Sequence, residues 1–254
     1  MFFTNLLQGN LKVKNFATKI IYYPKTESTS DDLWELYNEN HRLGLLVISD
    51  NQTKGRGRLN KSWISSPGLN LTFSFMLDSS YLKKHKELIS LIIPLAIING
   101  VNHFTSINLK LKWPNDIMYT KKKVGGILIE SKTNKENTIY NIGVGINVND
   151  NFENFNKTLK QNITSLKLIL NQSIQREPLL ASILNNLDEL ILFYTKKDII
   201  DLWNKNCSHM NQNISFNING KLISGKFCGI NNKGQALIKI NNEIIAYNGE
   251  IQLI

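Results

Sequence analysis

The sequence predicts an α+β protein in which a main domain of mixed strands and helices precedes a small module of strands. Between Ile20 and Val148, short β-like segments alternate with helical ones, and helical periodicity continues to Lys205. From Asn213 onward, short β runs are separated by turns rich in Asn and Gly, a pattern typical of hairpins. We therefore expect a barrel-like C-terminal module of about 40 residues, packed onto the main domain because it is small for independent stability.

The first predicted strand is Ile20–Tyr23, and the first predicted helix is Asp31–Asn40. Thr29 or Ser30 can cap this helix, whose positive first turn carries two acidic residues. A cap needs one hydroxyl, whereas Ser28, Thr29 and Ser30 supply three. A helix start with several hydroxyls also suits the polar edge of a ligand.

Five further strands of the main domain follow from alternating or continuous apolar runs. They are Leu45–Ser49, Asn70–Leu77, Ile107–Trp113, Val124–Glu130 and Ile139–Val148. The alternation in Asn70–Leu77 predicts a half-buried strand, and Pro114-Asn115-Asp116 is expected to turn the chain. Gly143 and Gly145 stand at alternate positions of one strand and leave one face bare, which is consistent with a ligand lying across it.

The predicted helices include an apolar core helix at Glu87–Thr105, in which Pro94 marks a kink or a late start. Further helices are expected at Ile163–Gln172, Glu177–Thr195 and Asp198–Lys205, after a polar loop at Asp150–Asn162. The C-terminal strands are Ile214–Ile218, Lys221–Ile230, Gln235–Ile240 and Glu243–Tyr247. Their hairpin turns are Asn219-Gly220, Asn231–Gly234 and Asn241-Asn242.

Composition is that of a globular protein of 254 residues, with 42% hydrophobic and 20% charged residues and a net charge of +10. A positive balance favours acidic partners such as nucleotides, nucleic acid or acidic proteins. The chain is also rich in Ile, Asn and Lys, a bias that raises the charge without functional meaning. Charge alone therefore does not predict DNA binding.

Neither the cysteines nor the histidines predict a metal or disulfide site. Cys207 and Cys228 have no metal or redox spacing, and Cys207-Ser-His209 is interpreted as a buried thiol near a surface imidazole. The four histidines lie far apart in the sequence, which argues against zinc. They are His41, His85, His103 and His209.

No targeting or membrane segment is evident in the sequence. The first 16 residues lack the basic, apolar and small-residue regions of a signal peptide. The most apolar run, Leu88–Phe104, is interrupted by polar residues and falls short of the roughly 20 apolar residues that a membrane span needs. We expect a soluble, cytoplasmic protein with no membrane partner.

The segment Lys54–Trp63 is the most informative stretch of the chain. It holds four cations, no acid, two glycines and a final aromatic residue. Glycine lets the backbone approach a ligand closely, and arginine can bind a phosphate or carboxylate through two parallel hydrogen bonds. A loop of this composition predicts an anionic ligand.

Several other motifs carry polar or glycine residues that a simple fold does not require. They are Ser28-Thr29, Gln52, Lys112–Asp116, Lys123–Gly126 and Gly143–Asn147. The loop lacks the ending of a P-loop, and the glycine pairs do not extend to a dinucleotide fingerprint. A cation-rich site with one well-placed acid, Asp116, suits activation of a carboxylate by a nucleotide, through positioning and charge neutralisation.

At these motifs the sequence resembles the biotin protein ligases. Four segments are similar to four signatures of that family and occur in the same order. They are Gly55-Arg-Gly-Arg58 with Trp63, Lys112-Trp-Pro-Asn-Asp116, Lys123–Glu130 and Gly143–Asn147. The resemblance implies a biotin/lipoate ligase-like catalytic domain at residues 1–212, with a mixed or antiparallel sheet and helices on one side. It also implies an SH3-like β-barrel at residues 213–254.

The resemblance further implies two half-reactions, with ATP, Mg²⁺ and biotin as ligands. Biotin and ATP give biotinyl-5′-AMP and diphosphate, and a lysine of a biotin carboxyl carrier protein then takes the biotinyl group. The catalytic residues so implied are Lys123, Arg58 and Asp116, and Asp116 also holds Mg²⁺. The resemblance implies that Ser28, Thr29 and Gln52 form hydrogen bonds with the ureido ring of biotin. The polar groups of this ring would be costly to bury without partners.

Further ligand contacts are implied for both substrates. The implied biotin contacts include Gly55, Arg56, Gly57, Lys123, Gly125, Gly126, Gly143 and Gly145. The implied nucleotide contacts are Arg58, Trp63, Asn115, Asp116 and Asn147. From the residues alone, packing in the protein and stacking on adenine are equally good interpretations of Trp63. Trp113 is interpreted as a core residue, and Lys123 could belong to a solvent-exposed turn of three lysines.

This chain departs from the family pattern in two places. Members often continue the loop as Gly-Arg-Gly-Arg-Arg-Gly, whereas Leu59, Asn60 and Lys61 stand here, which predicts a stiffer loop with one bidentate cation fewer. Some bacterial members carry an N-terminal helix-turn-helix domain. About 20 residues precede the first strand here, so we expect an enzyme without DNA binding.

Two rival functions remain open at this point. A lipoate–protein ligase would share the adenylation chemistry and a lysine like Lys123, but it would need a more apolar acid pocket and a different loop. A basic nucleic-acid-binding module would interleave aromatic residues and cations on its strands. Residues 213–254 offer only Phe216, Phe227 and Tyr247 as aromatics, with few cations beside them.

Overall fold

Two β-sheets organise the protein, which we describe from a computed structural model covering residues 1–134, 137–218 and 220–254. The main sheet contains β1 Lys19–Tyr23, β2 Leu45–Ser49, β3 Leu71–Asp78, β4 Lys110–Lys112, β5 Asp116–Tyr119, β6 Lys122–Thr133 and β7 Thr138–Ile146. The second sheet contains β8 Asn213–Ile218, β9 Lys221–Ile230, β10 Ala236–Ile240, β11 Glu243–Tyr247 and β12 Ile251–Leu253.

The helices fall mostly between these strands. They are α1 Thr4–Asn10, α2 Thr29–Asn40, α3 Ser79–Leu82, α4 Ile89–Thr105, α5 Lys157–Asn162, α6 Leu166–Leu170, α7 Arg176–Phe193 and α8 Lys196–Asn206. Short 3-10 turns occupy Arg58–Asn60 and Lys83–Leu88.

The main sheet is mixed, as predicted. Its strand order is β1-β2-β3-β7-β6-β5-β4. Only β1 and β2 run parallel, joined by the crossover helix α2, and every other neighbouring pair is antiparallel. The predicted strands Ile20–Tyr23 and Leu45–Ser49 lie at one edge of this sheet.

Helices cover both faces of the main sheet, so the prediction of helices on one side is wrong. On one face, Leu33 of α2 packs with Val47 and Met76. On the other face, Phe73 and Phe75 belong to the large core formed with α4 and α7. Strand β3 is consequently buried on both faces and not half-buried as its alternation predicted.

Helix α4 is a core element that packs along α7. By length and composition, one helix in the described parts of the chain, His85–Thr105, could cross a membrane, but 67% of its most apolar window is buried inside the protein. Gly100 allows the close approach of the two helices, because an added Cβ would lie 2.6 Å from Cα of Ile183. Pro94 lies within the helix and does not start it.

Several elements differ from the sequence-based expectation. The strand predicted at Ile107–Trp113 shortens to β4, and the turn predicted at Pro114-Asn115-Asp116 leads directly into the unpredicted strand β5. The expected loop Asp150–Asn162 ends in the short helix α5. Helices α1 and α3 and strand β12 were not predicted, because each is too short to show a period.

The C-terminal module is an antiparallel sheet with the order β11-β10-β9-β8-β12. Its two outer strands do not pair with each other in the described residues, so this sheet does not close into a barrel. Phe216 and Phe227 belong to the same core as the main domain, and Trp203 of α8 packs on Phe227 with ring centroids 6.4 Å apart. The predicted turn at Asn219-Gly220 includes residue 219, which lies outside the described residues.

The imidazole of His209 is fully buried, which corrects its prediction as a surface group. It packs on the ring of Phe227 at 4.3 Å and lies 3.5 Å from the thiol of Cys207. Burial, together with the positive charge of Lys112, lowers the pKa of His209 to about 4. Burial raises the pKa of the Cys207 thiol to about 12, so this sulfur is unreactive at neutral pH.

The depressed pKa of His209 predicts a loss of stability in mild acid. Between pH 6.5 and about 4 the unfolded chain takes up a proton that the folded protein does not, so the free energy of unfolding falls as the pH falls. From pH 7 to pH 5 this group accounts for about 2 kcal/mol. Urea unfolding of the wild type at pH 7 and pH 5 should show this loss of unfolding free energy. The loss should be smaller in His209→Asn. The exposed His103→Gln is the control and should keep the full loss; equal pH dependence in His209→Asn and the wild type would contradict the assignment.

Candidate active site

A cavity of about 290 Å³ lies on the face of the main sheet that also carries α2. Its floor is set by strand register. Directly paired residues form one row across five strands, and their side chains share a face. The row runs Lys112, Asp116, Gly126, Gly145 and Thr72. The next row of the same face places Leu128, Gly143 and Ser74 side by side.

Three glycines keep the centre of this floor free of side chains. A Cβ on Gly143 would lie 2.7 Å from Oγ of Ser30, and one on Gly145 would overlap the ring of Trp63. A Cβ on Gly126 would lie 3.1 Å from Nζ of Lys123. The predicted bare face is therefore present, and the ends of Ser30, Trp63 and Lys123 pack directly against it.

One end of the cavity is a buried cluster of hydroxyl and amide groups. Oγ1 of Thr29 lies 2.7 Å from Oγ of Ser74, and Oγ of Ser30 lies 3.0 Å from the same atom. The backbone N–H and the hydroxyl of Thr29 both donate to Oε1 of Gln52, at 2.7 and 3.0 Å. Hydroxyls can turn between donating and accepting, so this end suits a neutral ligand that carries both kinds of polar group.

Sequence reasoning named Ser30 only as one of three hydroxyls at the start of a helix, and it did not select Ser74, which lies buried behind the lining. The signal for Ser74 was present, because Thr72 and Ser74 alternate with the core residues Leu71 and Phe73 of β3. A polar residue at an inward position of a doubly covered strand needs a partner. Here the partners are the hydroxyls of Thr29 and Ser30 in the first turn of α2.

The other end of the cavity is cationic. Nζ of Lys123 lies 2.5 Å from Oδ1 of Asp116, and both side chains are partly exposed. Lys112 lies beside Asp116 in the same floor row, and Arg58 also lines the cavity without an ion pair in the described residues. Three cations around one carboxylate leave a net positive charge for an anionic ligand.

The segment Lys54–Trp63 forms a tight hairpin over the cavity. The N–H of Trp63 donates to the carbonyl of Gly55 at 2.8 Å, and the N–H of Gly57 donates to the carbonyl of Lys61 at 2.7 Å. The turn places Leu59 and Asn60 at φ of 50° and 57°, in the left-handed region. That conformation costs about 1–2 kcal/mol for a residue such as leucine and less for asparagine.

The Trp63 ring lies on the glycine floor of the cavity. It occupies the space above Gly145, and its buried indole N–H has no acceptor in the part of the chain that the structure describes. The predicted alternatives for Trp63 were packing or stacking on adenine. In this structure the ring packs on the floor.

Arg56 and Lys61 hold the hairpin to different parts of the protein. Arg56 pairs with Glu130 of β6 and with Asp31 of α2. Nζ of Lys61 lies 3.0 Å from Oε2 of Glu250 in the C-terminal module. Sequence reasoning missed the contribution of that module, which lines the cavity with Glu250, Ile251 and Gln252.

Four of the predicted site residues lie outside the cavity lining. Ser28 is the buried N-cap residue of α2, although its hydroxyl makes no capping bond in the described residues. Gly55 and Gly125 allow close backbone contacts, since a Cβ would lie 2.5 Å from the Trp63 carbonyl and 2.7 Å from the Gly145 carbonyl, respectively. Asn147 is buried and donates from Nδ2 to the carbonyl of Thr164 at 3.1 Å.

The remaining predicted residues line the cavity together. Within it, Asn115 donates from Nδ2 to the carbonyl of Ile127 at 2.7 Å, so its amide holds β5 against β6. Trp113 donates from Nε1 to the carbonyl of Gly234 at 3.2 Å, which ties this wall to the C-terminal module. In the described residues, no group of three or more His, Cys, Asp or Glu side chains could hold a metal ion.

Comparisons with known proteins point to one family. The biotin/lipoate A/B protein ligase family matches residues 22–149. The bifunctional ligase/repressor BirA of Bacillus subtilis is 29% identical over 252 residues, covering 97% of this chain and 78% of the relative. The biotin–protein ligase of Homo sapiens is 28% identical over 230 residues, covering 82% of this chain and 30% of the relative.

The fold also matches a solved structure over nearly its whole length. The biotin protein ligase from Aquifex aeolicus in complex with biotin and ATP superimposes with a TM-score of 0.78 at 29% identity. The match covers 93% of this chain and 99% of that structure.

The contact between Trp63 and Gly145 predicts how the hairpin responds to a methyl group on the floor. In Gly145→Ala the new Cβ overlaps the indole, and the hairpin must move out at a cost of about 1–3 kcal/mol. Acrylamide quenching of Trp63, isolated with matched Trp63→Phe variants, should increase. In Gly126→Ala the neighbour is the flexible end of Lys123, so quenching should stay at the wild-type value. Unchanged quenching in Gly145→Ala would show that the ring does not lie on the floor.

Proposed function

Because the chain belongs to the biotin/lipoate A/B protein ligase family, we propose that this cavity binds biotin and ATP and carries out the chemistry of a biotin protein ligase. The protein is an ATP-dependent ligase that activates biotin and transfers it to a protein lysine. A relative named a biotin–protein ligase, and a similar structure of a biotin protein ligase containing biotin and ATP, favour biotin over lipoate. The observation that carries the assignment is the bare glycine floor between a neutral hydrogen-bonding end and a cationic end.

The reaction proceeds in two steps. An oxygen of the biotin carboxylate attacks the α-phosphorus of ATP, a new P–O bond forms, and diphosphate leaves with the electrons of the broken bond. A neutral lysine amine of the acceptor then attacks the acyl carbon of biotinyl-5′-AMP. The C–N bond of the amide forms, the C–O bond to the phosphate breaks, AMP leaves with its electron pair, and the amine nitrogen loses one proton to solvent.

The hydroxyl end of the cavity suits the ureido ring of biotin. Thr29, Ser30, Ser74 and Gln52 together offer donors and acceptors, which match a group with two N–H donors and one carbonyl. A ring buried without such partners would cost about 1–3 kcal/mol for each unpaired group. Trp63 then covers the apolar part of biotin on the glycine floor and does not stack on adenine.

The residues outside the lining support the site from behind. Ser28 starts α2, and Gly55 and Gly125 allow the backbone to pack closely under the hairpin and the sheet. Gly57, Gly126, Gly143 and Gly145 are the glycines that face the ligand space.

The cationic end suits the carboxylate and the α-phosphate. Lys123 reaches over Gly126 and can neutralise the charge that develops between the two reacting oxygens. Arg58 lines the same space without an ion pair in the described residues, and its guanidinium can hold a phosphate through two hydrogen bonds. Asn115 and Asp116 lie at the nucleotide side, whereas Asn147 acts only through the backbone near Thr164.

Mg²⁺ fits this site only in partnership with ATP. Asp116 and Glu250 are the two carboxylates of the described lining, and Glu250 is paired with Lys61. Mg²⁺ is commonly held by one or two carboxylates, substrate phosphates and water. Asp116 is also paired, with Lys123, but of the two carboxylates it is the one in the floor row at the cationic end. Asp116 is therefore the residue that would hold the ion, and the bound ion would neutralise phosphate charge.

The proposal also covers the acceptor protein, the cellular location and the limits of the two domains. We assign the acceptor as a lysine of a biotin carboxyl carrier protein and the location as the cytoplasm. Residues 1–212 form the catalytic domain. Residues 213–254 form an SH3-like module, a proposal supported by its five antiparallel strands and its short hairpins.

The first test of this function is diphosphate release from ATP. Release should require biotin and should be absent with lipoate, because the hydroxyl end is built for a polar ring. Mass spectrometry should then show a biotinyl adduct on the lysine of a carrier domain. Release with lipoate but not biotin would support the lipoate ligase instead, and release with neither acid would contradict both.

Lys123→Ala should reduce biotin-dependent diphosphate release by about 10²–10³-fold, the usual effect of removing one preorganised charge from a reacting oxyanion. The fold should persist, because the side chain is partly exposed at the cavity. Lys122→Ala, next in the chain and exposed, is the matched control and should keep wild-type release. Near-normal diphosphate release in Lys123→Ala would show that this lysine belongs to a solvent-exposed turn and does not act in the reaction.

A further inference from the structure

The two arginines of the hairpin have different surroundings. Nη1 of Arg56 donates to Oε1 of Glu130 at 2.7 Å, and Nη2 donates to Oε2 at 2.8 Å. Nη2 also lies 2.8 Å from Oδ1 of Asp31. Both arginines line the cavity, but Arg58, two residues along the chain, makes no ion pair in the described residues. Arg56 is thus already bound by protein carboxylates.

The carboxylate that receives Arg56 is itself held in place. Oε2 of Glu130 accepts a bond from the indole N–H of Trp34 at 3.1 Å. Burial by itself raises the pKa of the Glu130 carboxyl, but the bonds from Arg56 and Trp34 outweigh it and bring the pKa below its usual value. Glu130 therefore stays ionised and oriented toward the hairpin at neutral pH.

The Arg56 contacts join three separate elements. Glu130 lies on β6, Asp31 lies in the first turn of α2, and Arg56 lies between the two glycines of the hairpin. The same turn of α2 carries Thr29 and Ser30 of the hydroxyl end. Exposed ion pairs contribute little, but a bidentate pair shared with a second carboxylate has a defined geometry.

We propose that Arg56 is a positioning residue that holds the hairpin closed through Glu130 and Asp31. Although Arg56 lines the cavity, its guanidinium is held by these two carboxylates and does not bind biotin or phosphate. Arg58 makes no ion pair in the described residues and is the hairpin arginine available to the ligands. The closed hairpin keeps Trp63 on the floor and retains the activated intermediate until the acceptor lysine arrives. The effect on the intermediate rests on the proposed function, whereas the closure of the hairpin does not.

Limited trypsin digestion without ligand tests the closure directly. The hairpin contains Lys54, Arg56, Arg58 and Lys61, and Glu130→Gln and Asp31→Asn leave all these cleavage sites unchanged. When closing is faster than cleavage, the cleavage rate follows the population of the open hairpin. We expect cleavage within residues 54–61 to rise about tenfold in Glu130→Gln, in line with the loss of a charged hydrogen-bonded pair, and to rise less in Asp31→Asn.

Glu27→Gln is the matched control for digestion. It removes the partner of Lys54, a pair in which both side chains are about two-thirds exposed, at the base of the same hairpin. Its cleavage rate should equal that of the wild type. Thermal unfolding checks that each variant is folded, and Asp31→Asn serves alone if Glu130→Gln does not fold. Wild-type cleavage rates in the folded variants would overturn the proposal.

Kinetics distinguish a positioning role from a ligand contact. Arg56→Gln and Glu130→Gln should each speed the release of biotinyl-5′-AMP and raise the KM for biotin, with little change in a single-turnover transfer from preformed intermediate. The double variant should be no worse than Arg56→Gln, because both changes remove the same pair. Additive losses, or a harmless Glu130→Gln beside a damaging Arg56→Gln, would show that Arg56 contacts a ligand. Absence of biotin chemistry in the wild type would contradict the function but leave the digestion result intact.

Discussion

The rest of the site depends on one constraint, which is that the floor of the cavity carries no side chains of its own at its centre. Gly126, Gly143 and Gly145 lie in adjoining positions of β6 and β7 on one face of the sheet. The groups that line the space above these glycines therefore come largely from other elements. Helix α2 brings the hydroxyls, the hairpin brings cations and an indole, and the C-terminal module closes one wall.

The hairpin shows how a positively charged segment can close over a site that must also bind anions. Four cations close together repel one another, and a hairpin without partners would open. Asp31 and Glu130 pair with Arg56, and Glu250 pairs with Lys61, whereas the exposed pair of Lys54 and Glu27 lies at the base of the hairpin. Arg58 makes no ion pair in the described residues. Leu59 and Asn60 make the turn in the left-handed region. This chain therefore closes the loop with ion pairs contributed by other elements.

Sequence reasoning located most of the long elements but few of the short ones. Periodicity identified β2, β9 and β11 with their observed limits, because each is bounded by turn residues. Strands β5 and β12 were missed, since three or four residues carry too little pattern. Ser74 and Glu250 were missed for another reason. Their partners, Ser30 and Lys61, lie 44 and 189 positions away, and no local pattern links residues so far apart.

The sequence by itself predicted activation of a carboxylate by a nucleotide, and the resemblance of its ordered motifs to the biotin protein ligases implied biotin, because such motifs can be identified without coordinates. It also determined a mixed α+β fold with a strand-rich C-terminal module. Only the tertiary structure decided that helices cover both faces of the sheet and that Arg56 and Arg58 face different partners. The composition of the loop Lys54–Trp63 does not show which of its arginines pairs with protein carboxylates. The direction of each side chain depends on contacts with Glu130, Asp31 and Glu250, and those contacts exist only when the sheet, α2 and the C-terminal module have packed together.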